Sequence, residues 1–353
     1  MTYQLNDKVK NLIAYDAVAG DFKIRLDANE SFIDPGKRLK EQIISAVSGV
    51  TLNRYPDFKA TELCNKFAGF YGVNPERVVA GNGSDELITV ILGAFLMPGD
   101  KLLTFAPDFS MYQFYGEIYE KEGIIVEKLE DLSLTAEKAI EAIKSAKPDI
   151  VILSNPCSPS SLVMKKEDVI KIMESTSALV VIDEAYMEFS NQSIMDVSEQ
   201  FDNLIILKTC SKALGCAAIR LGFAVSSKEI IRALNCVRSP YNVNAVTQAI
   251  GCVIFSNPDY IKTAVKEIKA ARDFLYQGLL PLLNCKSVKR ILKPETNFVF
   301  IELEDAKLVY NELIKKSIIV RQLGSFLRIT AGNREENESL IEALTNILGR
   351  VSQ

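Results

Sequence analysis

The sequence contains no histidine and no tryptophan among its 353 residues. Without imidazole, the chain cannot build the nucleophile–histidine pair of serine or cysteine hydrolases. It also cannot supply the imidazole ligands that most catalytic zinc and non-haem iron sites use, so we expect no metal site. Acid–base chemistry must therefore come from lysine, aspartate, glutamate, tyrosine or cysteine.

An excess of positive charge and a long apolar run are also missing. The 41 basic residues face 45 acidic ones, a net charge of −4, which argues against binding to nucleic acid or to an anionic membrane. The longest apolar stretch, Leu87–Met97, is too short to cross a bilayer. The polar N-terminus has no signal-peptide pattern, and the seven cysteines include no C-x-x-C pair. These features predict a reduced, cytoplasmic protein.

Short apolar runs alternate with helical patterns over the first two thirds of the chain. One such pattern, Ala136–Ala146, places Ala139, Ile140 and Ile143 on one helical face. The runs are continuously apolar, as expected for a parallel sheet covered on both faces. The alternation predicts a doubly wound α/β domain. Its strands are expected at Val78–Ala80, Leu102–Phe105, Ile150–Leu153, Leu179–Ile182, Leu204–Leu207 and Phe223–Val225.

The pattern changes near residue 245. A long amphipathic helix is predicted to begin at Asn257–Pro258, and strands are predicted at Thr296–Leu303 and Leu327–Thr330. The last helix is expected to begin at Asn333, with Glu336 as its capping-box partner. This order predicts a smaller α+β domain. We therefore expect an N-terminal arm over residues 1–25, a large domain over 26–244 and a small domain over 245–353.

Polar residues follow three of the predicted strands, where open parallel sheets bind their ligands. Gly83-Ser84 begins a helix after the first strand, which suits an anion, although a tight turn is an alternative. Asp183 ends a buried strand and is either a site residue or a helix cap. Lys212 lies among small and apolar residues, where a lysine with a depressed pKa forms Schiff bases; the alternative is an ordinary surface charge.

These three strand ends together suit one cofactor, pyridoxal phosphate. Lys212 would hold its carbonyl carbon as a Schiff base, and Asp183 would pair with its cationic ring nitrogen. Its phosphate would lie on the helix start at Ser84, with help from three further side chains that follow the later strands. These are Thr209, Ser211 and Arg220.

A series of short segments, in order and at matching spacing, resembles the fold-type I pyridoxal-phosphate aminotransferases, and within them the histidinol-phosphate aminotransferase subfamily. The resemblance runs from about Val9 to Arg350. It implies a large domain with a mostly parallel central sheet plus a smaller α+β C-terminal domain. The segments are 26–30, 51–56, 81–86, 109–112, 183–186, 209–213, 220–222 and 295–298, followed by 327–330, Gly332 and 335–337.

The resemblance assigns a role to each residue around the cofactor ring. Lys212 carries the cofactor and moves a proton between the substrate and the cofactor, while Asp183 keeps the ring nitrogen protonated. Tyr186 contacts the 3-oxygen, and Tyr112 stacks on the ring unless it is only a core aromatic. The phosphate is held by the backbone of Ser84 and Asp85, by Thr209, Ser211 and Arg220, and by Tyr55 of the second subunit of a homodimer.

Arg321 and Arg328 resemble the family's substrate-anion residues, and Tyr15 resembles a lid tyrosine that contacts the substrate phosphate. Two arginines suit a phosphate through bidentate, charge-assisted hydrogen bonds. The alternative for both arginines is an exposed strand position. The substrates implied are a phosphorylated amine and a 2-oxo acid, in a two-step covalent exchange.

The sequence departs from the family pattern after the strand Ile150–Leu153. The asparagine that normally contacts the cofactor 3-oxygen opposite Tyr186 is replaced by Ser158, whose shorter hydroxyl needs a shift or a water to reach. The segment between Arg321 and Arg328 is also short. Both departures affect the expected substrate more than the expected cofactor.

Three alternatives to histidinol-phosphate:2-oxoglutarate transamination stay open from the sequence. Two are an aromatic amino-acid aminotransferase and a threonine-phosphate decarboxylase of cobalamin synthesis; the latter's His-Gly-Gly start is absent. The third is a regulator that binds pyridoxal phosphate without catalysis. Against it, the sequence has no helix-turn-helix segment or basic patch.

Overall fold

The computed structural model of the chain describes residues 3–6, 10, 12, 18–119 and 122–351. Its strands are β1 (Ile24–Leu26), β2 (Val78–Gly81), β3 (Lys101–Ala106), β4 (Glu122–Glu127), β5 (Ile150–Ser154), β6 (Leu179–Asp183), β7 (Leu204–Thr209), β8 (Gly222–Ser226), β9 (Val288–Leu292), β10 (Phe298–Leu303), β11 (Ile318–Leu323) and β12 (Phe326–Thr330). Its helices are α1 (Pro35–Arg38), α2 (Lys40–Ser48), α3 (Thr61–Tyr71), α4 (Ser84–Phe95), α5 (Met111–Ile118), α6 (Ala136–Ala146), α7 (Lys166–Glu174), α8 (Lys228–Val237), α9 (Ala245–Phe255), α10 (Pro258–Leu279), α11 (Ala306–Lys315) and α12 (Arg334–Val351). The predicted strands and helices are all present.

The larger sheet has seven strands in the order β2-β8-β7-β6-β5-β3-β4. Neighbours from β7 to β4 are parallel, whereas β8 is antiparallel to both β7 and β2. The prediction of a parallel strand at Phe223–Val225 is therefore wrong in direction. Between Thr209 and Gly222 the chain forms only a short 3₁₀ turn instead of a crossover helix, so it returns antiparallel.

The apolar runs of this sheet contribute side chains to two buried layers, one on each face of the sheet. Ile205 and Leu207 of β7 pack in a cluster with helices α4 and α8 on one face. Leu204 and Ile206, the alternate residues, belong to a second cluster on the other face, which includes side chains of α3, α6 and α7. Because both faces are covered, most positions of a central strand are apolar. The strand ends therefore stand out as the polar edge of the sheet.

The smaller sheet has the order β1-β11-β12-β10-β9. Strand β1, far away in sequence, joins it by parallel pairing of Ile24 with Ile318. Helix α10 crosses between the layers, because Ile261 and Ile268 belong to the core of the larger sheet and Leu275 and Leu279 to that of the smaller one. The division at residues 25 and 244 stays a prediction.

Two local features behave as their sequence indicates. The Asn333 side chain accepts from the Glu336 backbone N–H at 3.0 Å, and Glu336 accepts from the Asn333 N–H at 2.8 Å, so the predicted capping box is confirmed. All seven cysteines are free thiols. Within the described ranges, no helix combines the length and the apolar character needed to cross a bilayer.

Candidate active site

The ends of five neighbouring strands form one edge of the larger sheet. Ser154 pairs with Asp183 across β5 and β6, and Asp183 pairs with Leu207 of β7. Gly222, at the start of the antiparallel β8, pairs with both Thr209 of β7 and Gly81 of β2. The three predicted sites, at Ser84, Asp183 and Lys212, therefore lie at one edge, with β8 between β2 and the adjacent pair β7 and β6.

Asp183 is a buried carboxylate held by two hydrogen bonds. Its Oδ2 accepts from the Tyr112 hydroxyl at 2.8 Å, and its Oδ1 accepts from the Ala185 N–H at 3.0 Å. Burial raises the pKa of Asp183 from 3.8 to about 6, and these two hydrogen bonds limit the rise. A cation next to this carboxylate would relieve the cost of its burial.

Tyr112 is fully buried, with its hydroxyl on Asp183 and its ring edge-on to Phe109 at 5.5 Å between centroids. The expected stacking on a cofactor ring stays a prediction. The structure places this tyrosine against the carboxylate that would hold that ring.

Lys212 lies on the loop that follows β7, and its amine donates to the carbonyl oxygen of Ala28 at 2.9 Å. This side chain is half-buried, so the amine faces the site edge rather than the core. Ala28 follows β1 of the smaller sheet, and the contact therefore connects the lysine loop to the other half of the molecule.

The N-terminus of helix α4 forms an anion cradle. Its N-cap, Gly83, has φ +87° and offers no capping side chain, so the first N–H groups of the helix are left for another acceptor. The backbone of Gly222 comes so close that an added Cβ would lie 2.5 Å from the Ser84 nitrogen. Glycine is therefore required at the floor of the cradle.

Side chains from the lysine loop complete the cradle. The Arg220 guanidinium donates to the Ser211 hydroxyl at 3.3 Å and lies 3.7 Å from a carboxylate oxygen of Asp85. Thr209 accepts from the Ser211 N–H at 3.2 Å. Burial raises the pKa of Asp85, and the charges of Arg220 and Lys212 oppose that rise.

Tyr186 is tied to a residue that the sequence reasoning did not assign. The Asn29 amide donates to the Tyr186 hydroxyl oxygen at 2.7 Å, and both side chains are buried. Asn29 has φ +54°, a conformation that asparagine tolerates better than most residues. Its only sequence signal was its place in the matching segment 26–30, which marked the region without indicating a role.

Arg321 and Arg328 lie directly opposite each other on β11 and β12. Arg328 donates to the Ser158 hydroxyl at 3.3 Å and to the Asp27 carbonyl oxygen at 2.8 Å. The structure thus connects the substituted position, Ser158, to an expected substrate arginine. Two guanidinium groups at facing strand positions repel each other, and an anion between them would remove that repulsion.

Tyr55 is not joined to this cluster. The Tyr55 side chain is 80 % exposed, and its ring stacks on Tyr241 at 4.5 Å between centroids. Tyr15 lies outside the described residues. Both assignments therefore stay predictions.

A buried ionic cluster supports the turn between Asp183 and Tyr186 from behind. The amine of Lys208 lies 2.9 Å from both Glu184 and Glu188, and the Tyr71 hydroxyl donates to Glu188 at 2.7 Å. Burial alone would lower the pKa of Lys208, but the two carboxylates outweigh it and raise that pKa. Sequence periodicity gave no sign of this cluster, because Lys208 lies within an apolar strand.

The donor set of this edge fits pyridoxal phosphate. The uncapped helix start with Ser211 and Arg220 suits the phosphate, and the buried Asp183 suits a cationic ring nitrogen. The amine of Lys212 donates its hydrogen bond to a carbonyl oxygen, that of Ala28. A lysine in that setting is available as a nucleophile towards the cofactor's carbonyl carbon.

Comparisons with known proteins agree with this geometry. The family described as aminotransferase class I and II matches residues 22–344. The histidinol-phosphate aminotransferase of Clostridium kluyveri is 40 % identical over 346 residues, which cover 96 % of this chain and 97 % of the relative. That of Thermoanaerobacter pseudethanolicus is 34 % identical and covers 98 % of each chain.

Among solved structures, histidinol-phosphate aminotransferase from Sinorhizobium meliloti in complex with pyridoxal-5'-phosphate has a TM-score of 0.89. It covers 99 % of each chain at 20 % identity, a likeness in fold. The family match and the near full-length relatives lead to one conclusion: the chain belongs to the aminotransferase class I and II family.

Proposed function

We propose that this protein is a pyridoxal-phosphate-dependent aminotransferase that exchanges the amino group of histidinol phosphate with 2-oxoglutarate in histidine biosynthesis. The observation that carries the reaction class is the placement of Lys212, Asp183 and the Ser84 helix start at one sheet edge. The substrate rests on the facing arginines and on the relatives at up to 40 % identity.

When bound, pyridoxal phosphate supplies an electron sink for the carbanion that forms at the substrate Cα. Lys212 removes and returns the proton at that carbon, because the chain has no histidine to serve as the base and the Lys212 amine lies at this edge. Asp183 holds the proton on the ring nitrogen by its negative charge in a buried setting. Tyr186 donates a hydrogen bond to the 3-oxygen.

The phosphate group of the cofactor lies on the cradle. The N–H groups of Ser84 and Asp85 point to it from the helix start, while Thr209 and Ser211 offer hydroxyls. Arg220 supplies the positive charge, and its weak pairing with Asp85 at 3.7 Å leaves it able to turn to a doubly charged anion. This fixed anchor sets the position of the ring against Asp183.

Arg321 and Arg328 bind the phosphate of the substrate. Their facing positions on β11 and β12 bring two planar donor groups to one place, which favours a tetrahedral anion with several acceptor oxygens. Ser158 donates or accepts alongside Arg328, which it already contacts. Tyr15 is proposed to close over the same phosphate from the N-terminal arm.

The enzyme is proposed to be a homodimer in which Tyr55 reaches the phosphate of the partner's cofactor. Tyr55 stacks on the exposed Tyr241, and Leu52, three residues before Tyr55, is 85 % exposed; exposed apolar side chains grouped in this way mark interfaces. Tyr55→Phe should lower the affinity for pyridoxal phosphate about tenfold by loss of one hydrogen bond to a charged group. Sedimentation should show a dimer for both proteins; a monomeric wild type with full cofactor affinity would contradict the arrangement.

The substrate is tested by the visible absorbance of the cofactor-loaded protein. We expect histidinol phosphate to bleach it and 2-oxoglutarate to restore it. Bleaching by phenylalanine but not by histidinol phosphate would instead identify an aromatic aminotransferase. Release of carbon dioxide from threonine phosphate would identify the decarboxylase.

A matched pair of variants then separates the substrate arginines from the cofactor site. Arg328→Lys should lower kcat/KM for histidinol phosphate at least tenfold, because lysine cannot form the bidentate contact, while cofactor affinity stays unchanged. The control is Arg290→Lys, since Arg290 forms an ion pair with Glu302 of the neighbouring strand.

Cytoplasmic location stays a prediction from the cysteine pattern.

A further inference from the structure

A buried asparagine controls which hydrogen bonds the Tyr186 hydroxyl can make. Asn29 follows β1 and is 1 % exposed, and its amide nitrogen lies 2.7 Å from the Tyr186 oxygen. Its backbone N–H donates to the Thr330 hydroxyl oxygen at 3.0 Å, and its carbonyl oxygen accepts from the Asn297 amide at 3.0 Å. Asn29 is thus fixed on three sides.

The orientation of the Asn29 amide follows from Thr330. The Thr330 hydroxyl oxygen accepts the Asn29 backbone N–H, and the hydroxyl donates its own proton to the Asn29 side-chain oxygen, 3.2 Å away. The amide oxygen is therefore turned to Thr330 and the NH₂ group to Tyr186. At that contact the Tyr186 oxygen is an acceptor.

We propose that Asn29 is a positioning residue that keeps the Tyr186 hydroxyl proton directed at the 3-oxygen of pyridoxal phosphate. A phenolic hydroxyl has one proton, and it cannot give that proton to an NH₂ group. With the Asn29 amide on its oxygen, Tyr186 is a donor to whatever acceptor lies on its other side. This inference rests on the proposed cofactor site.

The substitution at Ser158 increases the importance of this contact. The resemblance implies an asparagine that reaches the 3-oxygen opposite Tyr186, whereas Ser158 has a shorter side chain, and its hydroxyl oxygen accepts from Arg328 at 3.3 Å. The directed hydroxyl of Tyr186 then supplies the main hydrogen bond to the 3-oxygen. Asn29 compensates by holding Tyr186 in one hydrogen-bonding state.

The charged groups around this contact are few and can be held constant. The Lys212 amine donates to the carbonyl oxygen of Ala28, the residue before Asn29. The Arg328 guanidinium lies over the Phe298 ring, which packs edge-on against Tyr186. Asp183 precedes Tyr186 on the same turn. Substitutions at Asn29 leave these three groups in place, so a change in cofactor titration reports on the hydroxyl.

The test is a pH titration of the visible absorbance of the cofactor-loaded protein. A hydrogen bond donated to the 3-oxygen stabilises its negative charge and so lowers the pKa of the neighbouring lysine–cofactor nitrogen. Tyr186→Phe should raise that pKa by about one to two units, as expected for one hydrogen bond to a charged acceptor. Asn29→Asp should raise it at least as much, because a carboxylate takes the Tyr186 proton for itself.

Asn29→Gly tests the loss of the amide without backbone strain, since glycine accepts the left-handed conformation. It should raise the titration pKa by less than Tyr186→Phe. In the Tyr186→Phe background, Asn29→Gly should not raise it further. Asn203→Ala is the control, because it removes an amide that bonds the backbone of residues 176 and 178 and should leave the pKa unchanged.

Two results would overturn the inference. One is an unchanged titration pKa in both Asn29→Asp and Asn29→Gly. The other is an equal effect of Asn29→Gly with and without the Tyr186 hydroxyl. A wild-type protein with no visible cofactor absorbance would overturn the proposed function, and the inference with it, so the two failures are distinguishable.

Discussion

Replacement of Asp183 by asparagine should stabilise the cofactor-free protein while it weakens cofactor binding. In the folded chain, burial moves the pKa of this carboxyl from 3.8 to about 6. A difference of about two pKa units corresponds to about 3 kcal/mol of folding free energy that the ionised carboxylate costs above pH 6. Asparagine has no charge to desolvate, and the Tyr112 hydroxyl can accept from its NH₂ group.

The sign of the pH dependence is fixed by the direction of the pKa change. Because the folded pKa lies above the unfolded one, the folded protein binds the proton more tightly. Stability is therefore present below pH 3.8 and is lost as the pH rises through 6. The advantage of Asp183→Asn should be about 3 kcal/mol at pH 8 and about half of that at pH 5.

Urea unfolding of the cofactor-free proteins at pH 5 and pH 8 measures this difference. Asp202→Asn, at an exposed position before β7, is the matched control and should show no such pH-dependent gain. An Asp183→Asn protein whose advantage is the same at both pH values would refute the account of a buried, titrating carboxyl. With pyridoxal phosphate present the order should reverse, because only the carboxylate pairs with the ring nitrogen.

Two further substitutions test the structure around the site. Gly222→Ala places a methyl group 2.5 Å from the Ser84 nitrogen and should lower the affinity for pyridoxal phosphate at least tenfold by distorting the cradle, with about 1–3 kcal/mol of lost stability. Wild-type affinity in a cofactor titration would argue against the cradle. Lys208→Met leaves Glu184 and Glu188 buried without their cation and should cost about 3–5 kcal/mol in urea unfolding. The exposed-pair control Lys166→Met should cost less than about 1 kcal/mol; equal losses in the two variants would be inconsistent with this assignment.

The sheet edge could be predicted from the sequence because polar residues end apolar runs there. Asp183 directly follows the apolar run 179–182 and Lys212 comes after the apolar run 204–207, and parallel strands bring their carboxyl ends to one edge. The capping box at Asn333 is a local pattern and needed no tertiary knowledge. Local periodicity and strand order therefore located the site without long-range contacts.

Contacts between distant segments were not predictable in the same way. Strand β1 pairs with β11 across almost 300 residues of sequence, and its three residues are too few to show a period. The edge strand β4 alternates exposed with half-buried positions and lacks a continuous apolar run. The role of Asn29 depends on Thr330 and Tyr186, which only the folded chain brings together.

The most direct test of the central claim is to find the lysine that carries the cofactor. The protein loaded with pyridoxal phosphate is reduced with borohydride, digested and mapped by mass spectrometry. The account predicts one labelled peptide, the one that contains Lys212, and no label in Lys212→Ala. Label on the neighbouring Lys208, or equal label in wild type and Lys212→Ala, would contradict it.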